Sequence, residues 1–292
     1  MTIIDGQKVA AEIKAELKAG ISRLSAEGKG VPGLVAILVG ENPASKIYVK
    51  SKANDCLETG MRSHVEKRGS DISEEELLDL IDYYNHNSEY DGILVQLPLP
   101  KHINEDRVIK KIRPEKDVDG FHPFNVGELV IGNETFFPCT PAGIQELLKY
   151  YKVQTSGKHV VVVGRSNIVG KPIANILVQK KEFANAVVTV CHSAAKDIAY
   201  YTRQADILIA AIGQPEFIKK EMVKEGAVVI DVGINRVEDK TKEKGYRVTG
   251  DVDFAGVSEV ASMITPVPKG VGPMTRAMLL KNTYHAFLRK IK

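Results

Sequence analysis

Short apolar runs alternating with helix-period segments constrain this chain more than any other feature. Residues 34–39, Gly92–Val95, 160–163, Val187–Cys191, Ile207–Ala210 and Val228–Asp231 are apolar and of strand length, with a further candidate at 62–67. Runs without polar alternation predict strands buried on both faces, as in mainly parallel sheets covered by helices. The intervening segments read as helices. Val9, Ile13, Leu17, Ile21 and Leu24 recur at three- and four-residue steps, one apolar stripe of an amphipathic helix. Asn42-Pro43 offers a cap and a first-turn proline and Gly60 a stop, which predicts a helix over 43–59. Ser73 and Glu76 form a capping box ahead of Leu77, Leu80 and Ile81. Thr140-Pro141 reads as the cap and first turn of another helix, residues 274–291 as the last. The expected class is α/β with two domains. Residues 1–139 would form a catalytic α/β domain and 140–271 a doubly wound, Rossmann-like domain, with the helix in 272–292 returning to the first. The charged stretch 238–244 predicts a solvated hairpin or loop.

Composition narrows the function classes. A length of 292 residues suits two ordinary domains, and a hydrophobic fraction of 43% supplies their cores. Lys plus Arg 40 against Asp plus Glu 37 leaves +3, scattered along the chain, which is no nucleic-acid footprint. No apolar run reaches membrane-span length, and the first residues lack the pattern of a signal peptide. Cys56, Cys139 and Cys191 lie far apart with no CxxC or HExxH, so neither disulfides nor a metal site is expected. The expectation is a soluble, cytoplasmic protein.

Five segments carry candidate chemistry. Gly164-Arg165-Ser166-Asn167-Ile168-Val169-Gly170 follows one strand and precedes helical sequence. Glycines there allow a sharp turn close to a phosphate, and amides at the helix start attract the anion. The spacing is not GxGxxG, and an ordinary strand-to-helix turn would show the same glycines. An NAD site expects an acid at the end of the next strand. Here that strand ends Cys191-His192-Ser193, so the neutral end together with Arg165 suits the 2′-phosphate of NADP. Ser45, Tyr48 and Lys52 share one helical face, though from spacing alone a solvated face is the commoner reading. Val95-Gln96-Leu97-Pro98-Leu99-Pro100 closes a strand where ligands of open sheets collect. Asp117-Val118-Asp119-Gly120 lacks the rest of a calcium loop and reads as a turn with self-bonding aspartates.

Taken in order, Ser45-x-x-Tyr48-x-x-x-Lys52, Val95 to Pro100, Lys116 to Gly120, Gly164-Arg165-Ser166-x-x-Val169-Gly170-x-Pro172 and Thr265-Pro266-Val267-Pro268-x-Gly270-Val271-Gly272-Pro273-Met274-Thr275 resemble the bifunctional methylenetetrahydrofolate dehydrogenase/methenyltetrahydrofolate cyclohydrolase family of the bacterial FolD type. The resemblance spans essentially the whole chain. One departure is Lys269, where family members often have glycine.

The resemblance implies NADP-dependent oxidation of 5,10-methylenetetrahydrofolate to the methenyl form, then hydrolysis to 10-formyltetrahydrofolate. The cofactor carries the first step, so the protein mainly aligns two rings; the second needs an activated water and proton traffic. By resemblance Lys52 is the central catalytic group, Gln96 bonds its amine, Tyr48 stacks on or bonds the folate, and Asp119 meets the pterin donors. Ser45, Leu97, Pro98, Gly272 and Pro273 are the further substrate positions; Gly164, Arg165, Ser166, Ser193 and Ile234 are the cofactor positions. A homodimer serving one-carbon metabolism and purine biosynthesis is also implied. A two-domain dehydrogenase of the shikimate type shares the architecture but is not expected to carry Tyr48, Lys52, Gln96 and Asp119 in these contexts.

Overall fold

The structure, a computed structural model, describes residues 1–242 and 245–291. In chain order its elements are β1 (Thr2–Ile3), α1 (Gly6–Ala26), β2 (Gly33–Val39), α2 (Pro43–Thr59), β3 (Arg62–Arg68), α3 (Glu74–His86), β4 (Gly92–Val95), α4 (Glu105–Lys111) and α5 (Pro123–Ile131). There follow α6 (Cys139–Tyr150), β5 (His159–Val163), α7 (Gly170–Leu177), β6 (Val187–Cys191), α8 (Ile198–Thr202), β7 (Ile207–Ala210), β8 (Val228–Asp231), β9 (Asn235–Glu238), β10 (Tyr246–Thr249), α9 (Phe254–Val257), β11 (Met263–Ile264) and α10 (Val271–Ile291). The chain forms two compact units: Ala11–Glu128 with Glu134–Cys139 and Arg276–Lys292, and Met1–Ala10 with Leu129–Asn133 and Thr140–Thr275.

The first unit is built on a parallel sheet of order β3-β2-β4. Every residue of β2 and β4 is buried, as their unbroken apolar sequence requires. Val35, Ile37 and Ile93 of the sheet pack with Leu77 and Ile81 of α3 and Val108 of α4. The predicted capping box is present: Ser73 Oγ accepts from the Glu76 amide, and the Glu76 carboxylate accepts from the Ser73 amide. Buried Asp91 at the foot of β4 accepts from Gly33 N at 2.8 Å and from Lys290 Nζ of α10 at 2.6 Å. Buried Asp55 of α2 is bridged by Lys14 of α1 at 3.0 Å and Arg276 of α10 at 3.1 Å. The last helix is thereby anchored to this unit.

The second unit holds a parallel sheet of order β1-β11-β8-β7-β5-β6. Its core includes Val161, Leu208, Val229 and Ile264. From β5 the chain lays β6 on one side and β7 on the other, so the order reverses at the carboxyl end of β5. That is where open α/β sheets take their ligands.

Two expectations are corrected. Residues 1–10, 129–133 and 272–275, expected with the first domain, lie in the second unit; Thr2 N and Ile4 N bond to Ser262 O and Ile264 O at 2.7 and 2.8 Å. Thr140 is not a cap: α6 begins at Cys139, and the Thr140 hydroxyl bonds that of Thr275 at 2.9 Å. The hairpin expected at the charged stretch is present, β9 pairing antiparallel with β10; residues 243 and 244 of that stretch lie outside the described residues.

Candidate active site and cofactor turn

Helix α2 presents the lysine. Asn42 Oδ1 accepts from the amides of Ala44 and Ser45 at 3.0 and 3.1 Å, Pro43 occupies the first turn, and Gly60 closes the last. Ser45 is buried, Lys52 half-buried, and Tyr48 exposes 45% of its surface. Lys52 Nζ donates to Gln96 Oε1 at 3.1 Å. The Gln96 amide is oriented by its own Nε2, which donates to Leu97 O at 2.7 Å, while its backbone N bonds Ile37 O at 2.9 Å. With the amino end committed, only the carbonyl end can face the lysine. Leu97 and Pro98, joined by a cis peptide, follow directly at the strand exit.

Asp117 and Asp119 have separate tasks. Buried Asp117 accepts from Phe121 N, His122 N and Asn125 Nδ2 at 3.2, 2.8 and 2.8 Å, the self-bonding turn expected of it. Asp119 points elsewhere. Part of the residue reaches solvent, but its carboxyl is desolvated, and burial pushes it above the usual carboxylate range. The Lys52 charge and the Cys139 thiol pull it back down, and Asp117 adds to the rise. Lys52 and Gln96 are therefore joined directly, Asp119 lies close enough to feel the Lys52 charge, and Tyr48 sits one turn before the lysine.

The turn after β5 is shaped by its glycines. Gly164 has φ +130, and a Cβ there would sit 2.2 Å from Ala211 O. A Cβ at Gly170 would sit 2.2 Å from Gly164 O. Ser166 Oγ accepts from Val169 N and Gly170 N at 3.2 and 3.3 Å. The amides at the helix start are thus already engaged, contrary to the expectation that they receive the anion. Among the described residues, the amides of 165–168 in the loop before the helix have no partner. Arg165 and Ser193 are exposed, Gly164 N bonds Cys191 O at 2.8 Å, and His192 Nδ1 accepts from Ala194 N at 3.2 Å. The loop end of β6 carries no acid. These features fit a dinucleotide bearing a 2′-phosphate.

Gly272 lies in the first turn of α10, where a Cβ would come 3.5 Å from Ile234 Cδ1. Gly272 and Pro273 thus share a unit with the cofactor positions. Lys269 stands in the left-handed region at φ 89, a conformation that costs a non-glycine residue about 1–3 kcal/mol.

Two carboxylates escaped the sequence reading. Buried Asp251 accepts from Ile212 N, Gly213 N and Asn235 Nδ2 at 2.7, 2.9 and 2.8 Å. Asp231 accepts from Gly233 N, Asp251 N and Val252 N at 2.9, 2.9 and 3.0 Å, and burial pushes its carboxyl up to about 7. Together they shape the loops after β7 and β8. The only outward signal is acids at strand ends.

A parallel nucleotide-binding sheet in one unit and a lysine–glutamine–aspartate cluster in the other define a dinucleotide-dependent enzyme of the two-domain type. Family comparisons agree: the tetrahydrofolate dehydrogenase/cyclohydrolase catalytic domain matches residues 4–119 and that family's NAD(P)-binding domain matches 138–291. The chain belongs to the tetrahydrofolate dehydrogenase/cyclohydrolase family. It is 58% identical over 291 residues to the bifunctional protein FolD of Prosthecochloris aestuarii, covering 99% of each chain. The crystal structure of the Campylobacter jejuni bifunctional enzyme FolD shares 50% identity with a TM-score of 0.93, covering 99% of each chain. The Trypanosoma brucei enzyme, solved with NADP cofactor and an inhibitor, shares 41% identity with a TM-score of 0.95, over 100% of this chain and 99% of that one.

Proposed function

We propose that Lys52, oriented by Gln96 and faced by Asp119, is the group around which the folate chemistry is organised. The activities are those of the family: oxidation of 5,10-methylenetetrahydrofolate to the methenyl form with NADP, then hydrolysis to 10-formyltetrahydrofolate. NADP, when bound, accepts the hydride. The protein's part in that step is alignment, with Tyr48 and Ser45 on one face of α2 and Leu97-Pro98 at the end of β4 offering the folate its contacts. Gly272 and Pro273 are the remaining substrate contacts on this reading. Gly164, Arg165, Ser166, Ser193 and Ile234 hold the dinucleotide, Arg165 beside the neutral end of β6 meeting the 2′-phosphate. In the hydrolytic step, water adds to the methenyl carbon and gives up its protons, the bond from that carbon to N5 breaks as N5 takes up one proton, and the formyl group stays on N10. Lys52 handles the proton of that water, and the observation that carries the proposal is its 3.1 Å bond to a glutamine that can turn only its oxygen toward it.

On this reading the Asp119 carboxylate accepts from the pterin amino and N–H groups. Asp119→Asn replaces a double acceptor with an acceptor and a donor. Losing a charge-assisted bond costs about 1.5–3 kcal/mol, so folate affinity should fall about 10- to 150-fold. Calorimetric titration on a variant with unchanged melting temperature measures this. Wild-type affinity would remove Asp119 from the folate site.

The chain is also proposed to act as a homodimer. Strand β6 is a sheet edge that exposes 63% of Val187 and 41% of Val190, an apolar edge that pairing with a second copy would cover. Sedimentation equilibrium should return twice the chain mass, falling to one chain for Val187→Lys; a wild-type monomer at micromolar concentration ends the idea. A cytoplasmic setting that supplies formyl groups to purine biosynthesis completes the proposal, and a purine requirement on deletion tests it. No helix among the described residues is long and apolar enough to cross a membrane.

A further inference from the structure

We infer that Asn282 of α10 is a positioning residue for Asp119, acting through the backbone on either side of it. The inference rests on the assignment of Asp119 to the folate site. Asn282 Nδ2 donates to Val118 O at 2.8 Å and to Phe137 O at 3.1 Å, and lies 3.8 Å from Cys139 Sγ. The Cys139 thiol donates to the same Val118 carbonyl at 3.4 Å. Val118 O belongs to the peptide that carries the Asp119 amide, so holding it fixes the plane from which the Asp119 side chain departs.

The next residue leaves that plane little support of its own. Gly120 has φ +75, and a Cβ there would meet Phe137 C and Pro138 N at 2.6 Å. The turn therefore lies directly on the 136–138 segment, and Asn282 ties these two stretches together with one amide group. On the other side, Asp117 is held by Phe121 N, His122 N and Asn125. Asp119 itself has a desolvated carboxyl that feels the Lys52 charge and the Cys139 thiol. A neutral amide suits this place. It supplies two donors to two carbonyls without adding a charge that would compete with Lys52 for the Asp119 carboxylate.

The test uses the whole chain and four variants: Asn282→Leu, Asp119→Asn, the two combined, and Asn282→Ser. Leucine keeps the bulk and removes both donors. Michaelis constants for methylenetetrahydrofolate and for NADP are measured beside melting temperatures. The expected result is a folate constant raised about tenfold in Asn282→Leu, from loss of two part-buried hydrogen bonds, with the NADP constant unchanged. The double variant should bind folate no worse than Asp119→Asn alone, because both changes act on one carboxylate. A general packing defect would instead raise both constants or add its loss to that of Asp119→Asn. Should Asn282→Leu not fold, Asn282→Ser, which keeps one donor, takes its place with a smaller folate-only loss and the same non-additivity. A folded variant with wild-type folate constant, or multiplicative losses in the double variant, overturns the inference while Asp119→Asn still shows its own defect. If Asp119→Asn itself binds folate normally, the assignment of Asp119 fails first and the inference with it.

Discussion

Lys52→Met should lower methenyltetrahydrofolate hydrolysis by about 10²–10⁴-fold, the usual worth of a positioned acid–base group, while NADP reduction survives in part. Methionine keeps an unbranched stem of similar reach and deletes only the amine. Gln96 would lose its partner at Oε1 but stay in place, because its Nε2 remains bonded to Leu97 O. Asp119 would lose the charge that now draws its carboxyl down against burial, so part of the residual dehydrogenase loss should come from weaker folate binding. Hydride transfer needs no proton from the protein, whereas opening the methenyl ring does. Adding Gln96→Ala to Lys52→Met should cost little further hydrolysis, since groups acting as one unit are not additive. The measurement is methenyl hydrolysis, corrected for spontaneous opening, beside NADP reduction for each variant. Near-wild-type hydrolysis in Lys52→Met would leave the Ser45–Tyr48–Lys52 stripe a solvated helix face.

Gly164→Ala should produce the reciprocal defect. The backbone at φ +130 is strained for any residue with a side chain, about 1–3 kcal/mol. The added methyl would also lie 2.2 Å from Ala211 O, and relieving such a clash costs about another 1–3 kcal/mol. Either the turn shifts, spoiling the cradle formed by the amides of 165–168, or the loop after β7 moves away. NADP affinity should fall by one order of magnitude or more on the order of that energy, and dehydrogenase activity with it. Hydrolysis of supplied methenyltetrahydrofolate, which uses no dinucleotide, should persist. Calorimetry with NADP and the two activity assays read the outcome; unchanged NADP affinity would show that the close approach at Gly164 is not what shapes the site.

Much of this was legible in the sequence for stated reasons. Gly92–Val95, Val187–Cys191, Ile207–Ala210 and Val228–Asp231 occur as strands with the expected bounds, because runs buried on both faces carry no polar interruption. Helix α2 could be bounded because Asn42, Pro43 and Gly60 each have a local mechanism. What escaped depends on partners distant in sequence. Strands β1 and β11 are two residues each, too short for any period to show, and each is a strand only because the other side of the ladder exists. Asp231, Asp251 and Asn282 look like ordinary polar residues until the amides and carbonyls they serve are brought to them. Ser166 matches a cofactor position in sequence, with no sign there that its hydroxyl takes up two amides at the start of the following helix. Lys52 was legible as a catalytic candidate only through the resemblance, since its spacing from Tyr48 fits a solvated face equally well.

The interleaving of the two units has a consequence for synthesis on the ribosome. Strand β1 finds its partner only when residues 263 and 264 have emerged, and the unit carrying Lys52 is completed by residues from Arg276 onward. Neither unit can finish while the late segment that completes it is still in the exit tunnel. The nascent chain carries apolar strands without their partners until those segments emerge, with contacts of very large sequence separation closing last.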